Sequence, residues 1–152
     1  MIYGIAIIIA LAIILFLIYR RLPEVRRLEE KFAAVSLPEH YTEEEAENYF
    51  QRGDWSKAEK VYLHLAASQP RQPKFYNRLG IIYLKQKNFS DARASFETAV
   101  KIDPTVASRF YNLAAAWQHL NNKKKARQAI VTALRFSPRN KKYQEALEEI
   151  EK

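Results

Sequence analysis

Three histidines, His40, His64 and His119, are the side chains best suited to metal or proton chemistry, and none is spaced from another as metal ligands are. The chain has no cysteine, which excludes a thiolate metal site, a cysteine nucleophile and a disulfide framework. No glycine-rich phosphate loop occurs, no serine stands in a nucleophile motif, and the carboxylates fall on exposed helix faces. No enzyme activity, metal or cofactor is therefore expected. What does recur is hydrogen-bonding and ion-pairing chemistry at helical spacing: Lys74, Asn77, Arg78, Ile81 and Lys85. A matching set lies 34 residues on, at Ser108, Tyr111, Asn112, Ala115 and His119. An earlier one is His40, Glu43, Glu47 and Gln51. Ile81 and Tyr111 stand out, because apolar groups on a polar face cost solubility without a partner.

The elements that carry these sets are set by a repeat whose period must be read with care. "KFYNRLG" (residues 74–80) and "RFYNLAA" (109–115) share a triplet at a separation of 35. At 34, however, Ala58, Ala92 and Ala126 coincide, as do Pro70, Pro104 and Pro138. Leu79 then matches Leu113, Gly80 matches Ala114, and Tyr62 matches Phe96 and Ile130. Tyr76, Leu79, Gly80 and Tyr83 form one apolar stripe, and Phe110, Leu113, Ala114 and Trp117 form the next. A slip of one residue would turn each stripe by about 100° and bury the wrong face. Thirty-four is the period, and the triplet is a coincidence laid over it. A second helix follows in each unit, through Ala92, Phe96 and Ala99 and then Ala126, Ile130 and Ala133. Small residues at 80, 114, 92 and 126 let paired helices approach closely. Ser90 or Asp91 is the expected cap of a second helix, and each proline stops the chain before the next unit.

"YNRLGIIY", then "ARASF" and Pro104, resembles the tetratricopeptide repeat in spacing and period, with Tyr76 for the leading tryptophan. The resemblance covers residues 39–140 as three units, 39–72, 73–106 and 107–140. In the first, Thr42 and Glu45 replace the leading aromatic and leucine, and they read as a capping box that starts the helix late. Lys123 stands where Trp55 and Phe89 stood. Tyr143, Leu147 and Ile150 make residues 141–152 an amphipathic capping helix. The implied fold is all-α, a right-handed solenoid of three helix-turn-helix units. The implied function is that of a scaffold whose concave side, lined by the sets above, receives a peptide or protein partner. One use of the family is a clamp of Lys, Asn and Arg around a partner's terminal carboxylate. Here Glu43 and Glu47 occupy its first-unit positions with the wrong sign, and Arg78 with Asn112 does not make it.

Residues 2–19 contain no charged side chain and as a helix would reach roughly 27 Å, close to a bilayer's hydrocarbon thickness. No basic residue precedes the run, and it continues past the "ALA" at 10–12, which argues for an uncleaved anchor over a signal peptide. Arg20, Arg21, Arg26 and Arg27 follow it, so the expected orientation leaves the C-terminal bulk in the cytoplasm, with a bacterial inner membrane favoured. Leu22, Val25, Leu28, Phe32 and Val35 form a short amphipathic stripe that suits a homodimer seam, the following domain or the membrane surface. The chain carries a formal charge of +8, and residues 71–142 hold sixteen Lys or Arg against three acids. Such a surface suits an acidic protein or anionic lipid; for nucleic acid no binding module is present.

Overall fold

The computed structural model describes residues 41–152. They form α1 (Glu43–Arg52), α2 (Trp55–Ser68), α3 (Pro73–Lys85), α4 (Phe89–Ile102), α5 (Ala107–His119), α6 (Lys123–Phe136) and α7 (Lys141–Glu151). Each helix packs on the next, and α3 also touches α5, as expected of stacked hairpins whose first helices share one side. The anchor of residues 2–19 and the stripe of residues 22–37 lie outside the described residues. Among the described residues no helix is long and apolar enough to cross a membrane.

The hairpin turns repeat with the period read from the sequence. Gly53, Lys87 and Asn121 all adopt positive φ, at 76°, 61° and 55°. In each turn the next amide closes a wide loop back onto the first helix: Asp54 N–H to Tyr49 C=O, Asn88 to Tyr83, and Asn122 to Trp117. These bonds occupy the helix's last carbonyls as a left-handed C-terminal cap does. The second helices start at Phe89 and Lys123, and their caps are Asn88 and Asn122, whose side chains accept from the Asp91 and Lys125 amides. The expected cap at Ser90 or Asp91 is thus corrected. The left-handed residue turns the chain sharply enough that the helix begins earlier, which leaves both residues inside its first turn. The capping box of Thr42 and Glu45 forms as read, and α1 accordingly starts at Glu43.

Only the first of these turns has glycine. A left-handed residue with a side chain costs about 1–2 kcal/mol, of which glycine's greater unfolded freedom returns a part. Lys87 is exposed. Lys87→Gly is therefore expected to raise stability by about 0.5–1 kcal/mol in urea unfolding, whereas Gly53→Ala is expected to lower it.

Two clusters make the core. One joins α1, α2 and α3 through Ala46, Tyr62, Leu65, Phe75, Leu79 and Ile82. The other joins α4 to α7 through Phe96, Leu113, Ala114, Ile130, Tyr143 and Ile150. Tyr83 packs against both. Burial, with Glu59 and Asp91 nearby, pushes its phenol up to about 12. In α3 the deepest aromatic is Phe75, at 1% exposure, while Tyr76, placed on the stripe by sequence, is only half-buried. A middle helix is covered on two sides and needs more than one apolar stripe. Phe75 faces the preceding repeat, its ring 6.2 Å from that of Tyr62. At the same register α5 has Arg109, which instead ion-pairs with Asp103 at 2.6 Å.

Candidate functional site

The first helices α1, α3 and α5 present their polar sets along one side, and the sets are cross-linked from repeat to repeat. Lys74 on α3 ion-pairs with Glu43 on α1. One turn further, Arg78 Nη2 donates to Glu47 Oε1 at 2.8 Å, and the guanidinium lies 4.4 Å from the Phe50 ring centre. Glu47 also accepts from Gln51 Nε2 at 2.7 Å and, through Oε2, from the Tyr62 hydroxyl at 2.8 Å. Between α3 and α5, Asn112 Nδ2 donates to Asn77 Oδ1 at 3.1 Å. The ladder ends at Tyr111, which stacks on Tyr143 of α7 at 5.1 Å with the Lys142 ammonium 4.5 Å from its ring. Glu43, Glu47, Tyr62, Lys74, Asn77 and Arg78 wall a concavity of about 420 Å³.

The structure thus brings Lys74, Asn77, Arg78, Tyr111 and Asn112 into one polar ladder. Lys85 and Ser108 remain exposed, and Ala115 is half-buried. Ile81 and Tyr111 are half-buried against the core cluster of α4 to α7, so their apolar surface is largely covered by their own chain. The inference that they need an external partner to be soluble does not hold. His119 stacks flat on Phe89, ring centres 4.3 Å apart, at the edge where the hairpins turn. His40 lies outside the described residues. Sequence reading missed Tyr62, a core aromatic whose hydroxyl reaches the ladder. Its signal was a hydroxyl at a register filled elsewhere by Phe96 and Ile130. Also missed was a second concavity of about 240 Å³ where Glu97 of α4 meets Phe110, Leu113, Trp117 and Lys125. Lys125 and Arg93 lie 4.3 and 5.3 Å from the Trp117 ring centre. Among the described residues no group of three or more His, Asp or Glu could hold a metal ion.

Burial pushes the Glu47 carboxyl up, but hydrogen bonds from Gln51 and Tyr62 and the Arg78 guanidinium outweigh it and hold it below the usual range. Arg109 and Thr105 hold the Asp103 carboxyl well below that range. A carboxyl depressed in the folded state adds stability above its unfolded pKa of about 4, and loses it as pH falls through the folded value. Thermal midpoints are therefore expected to be flat from neutrality to about pH 5 and to fall below it. In a pH series of melts, Asp103→Asn and Glu47→Gln should each flatten that acid limb and lower the neutral plateau.

Two family models described as Tetratricopeptide repeat match residues 44–107 and 83–150. Among solved structures, the chain is similar to the first TPR of Spaghetti (RPAP3) bound to HSP90 peptide SRMEEVD. The TM-score is 0.69 at 21% identity, covering 71% of this chain and 86% of that one. It is similar to the second TPR domain of human RPAP3, in complex with HSP70 peptide SGPTIEEVD, with a TM-score of 0.69 at 22% identity over 72% and 91% of the two chains. The TPR2B domain of yeast Sti1, in a complex with Hsp70, gives 0.65 at 18% identity over 70% and 90%. At these identities the structural likeness speaks for the fold alone. The overlapping family matches, the 34-residue turns and the stacked hairpins agree: residues 44–150 are tetratricopeptide repeats, and the chain belongs to that family.

Proposed function

We propose that the chain is a membrane-anchored scaffold whose concave side holds a peptide segment of a partner protein, in the assembly of a membrane complex. The observation that carries this reading is the ladder itself. Polar side chains of α1, α2 and α3 wall one concavity, and Asn77 on its wall pairs with Asn112 of α5, a pair that keeps an amide donor and an amide oxygen for a third party. Peptides bound to similarly folded repeats, HSP90 and HSP70 segments among them, support a peptide as the occupant. The anchor rests on the uncharged run of residues 2–19 and the arginines that follow it, which support a single-pass membrane protein with its repeats in the cytoplasm.

Lys85 and Ser108 are exposed groove positions whose replacement leaves the core intact, unlike Ile81 and Tyr111. A photo-crosslinking residue at either position, in the full chain in cells, should trap one or a few proteins. The same residue at exposed Ala94 on α4 should not trap them. Equal products from both sides, or none from the groove, would sink the reading. A second reading has its own observation: Phe136 is 49% exposed, and exposed Arg135, Arg139 and Lys141 stand close to it in sequence. That patch suits an anionic lipid surface, and binding through it should collapse between low and moderate salt while groove binding persists.

A further inference from the structure

The cationic pair of the groove is already occupied by the chain's own carboxylates. Glu43 takes Lys74, and Glu47 takes Arg78. Glu47 is the firmer of the two. It accepts from three donors on three helices, at 2.7–2.8 Å, and its side chain is only 35% exposed. Gln51 on its own helix and Tyr62 on α2 hold it even when Arg78 is drawn away. An anion entering this concavity therefore meets two negative charges, of which Glu47 is held in place, and finds both cations paired. An uncharged segment meets no such opposition, because its backbone donors and acceptors can be satisfied at the Asn77–Asn112 pair.

We propose that Glu43 and Glu47 are specificity-determining residues that act as internal ligands of Lys74 and Arg78. They close the α1–α3 part of the groove to acidic chain ends and reserve it for an uncharged, extended internal segment of the partner. The inference rests on the groove being the working surface, and names what that surface admits. Discrimination of this kind comes as much from a repulsive element as from attractive contacts. Exposed ion pairs add little to stability, so their alignment at the groove is better explained by what they refuse than by what they hold together.

The test uses the full chain in mild detergent and a fluorescent SRMEEVD peptide as an acidic probe. At moderate salt the wild type should show no saturation up to millimolar peptide. The Glu43→Gln, Glu47→Gln double variant keeps the hydrogen-bonding shape of both side chains and frees both cations. It should bind at least about ten-fold more tightly, the order expected when like charge is removed from a site and its cations are released. Adding Arg78→Gln to that variant, or amidating the peptide's terminal carboxyl, should cancel the gain. Circular dichroism should show all forms equally helical. Wild type binding as tightly as the double variant would overturn the proposal, and so would a double variant that gains nothing. Neither result touches the groove reading, which stands or falls on the crosslinks at Lys85 and Ser108.

Discussion

Phe96→Ala is expected to cost about 3–5 kcal/mol in urea or thermal unfolding, the range for emptying a large buried site. Phe96 is 0% exposed, and its ring lies close against α3. The reason for that closeness is Gly80. A Cβ added there would lie 2.5 Å from a ring carbon of Phe96, nearer than side-chain atoms pack. Gly80→Ala should therefore also destabilise, by about 1–3 kcal/mol, although alanine is the better helix former. The next repeat solves the same contact differently, with Ala114 on α5 and Ile130 on α6, both buried. Combining Gly80→Ala with Phe96→Ile reproduces that solution and should recover most of the loss that Gly80→Ala causes alone. A double variant no better than the sum of the two single ones would mean that the pair is not coupled.

The same contact shows why the fold was legible and parts of the site were not. Register is an alternating choice between faces, and Leu79, Gly80, Ala92 and Phe96 all make it the same way, so a single chain sufficed to find the period of 34. A turn conformation is also periodic, but it is written in residues of different type. Gly53, Lys87 and Asn121 share positive φ and no chemistry, and the cap after Lys87 was therefore expected at Ser90 or Asp91 and not at Asn88. The groove is harder still. Which residues share one side of the first helices follows from spacing, as it does for Lys74, Asn77, Arg78, Tyr111 and Asn112. Whether they are free depends on contacts between repeats. Spacing within one repeat cannot show that Glu47 meets Tyr62 and Arg78 at once. It also cannot show that Asn77 meets Asn112 at a separation of 35, the distance of the triplet set aside as coincidence. The triplet is out of register for the core, but its asparagines meet because they lie on the facing sides of neighbouring first helices.

The second large effect is expected at α7, where packing and groove meet. Tyr143 and Ile150 are 7% and 5% exposed and belong to the same cluster as Phe96 and Ile130. Ile150→Ala should cost about 2–5 kcal/mol and Tyr143→Ala about 3–5 kcal/mol, since both leave a hole on the last covered face of α6. Their consequences for function should differ. Ile150 lies in the last turn of α7, and its loss should lower the melting midpoint while leaving a groove crosslink at Ser108 unchanged below that midpoint. Tyr143 also stacks on Tyr111, so its loss removes the support of the ladder's last rung and lets that side chain turn away. At a temperature where both variants are fully helical, Tyr143→Ala should weaken the Ser108 crosslink several-fold and Ile150→Ala should not. Equal crosslinking in the two would show that Tyr111 holds its place without the stack, and that α7 supports the core alone.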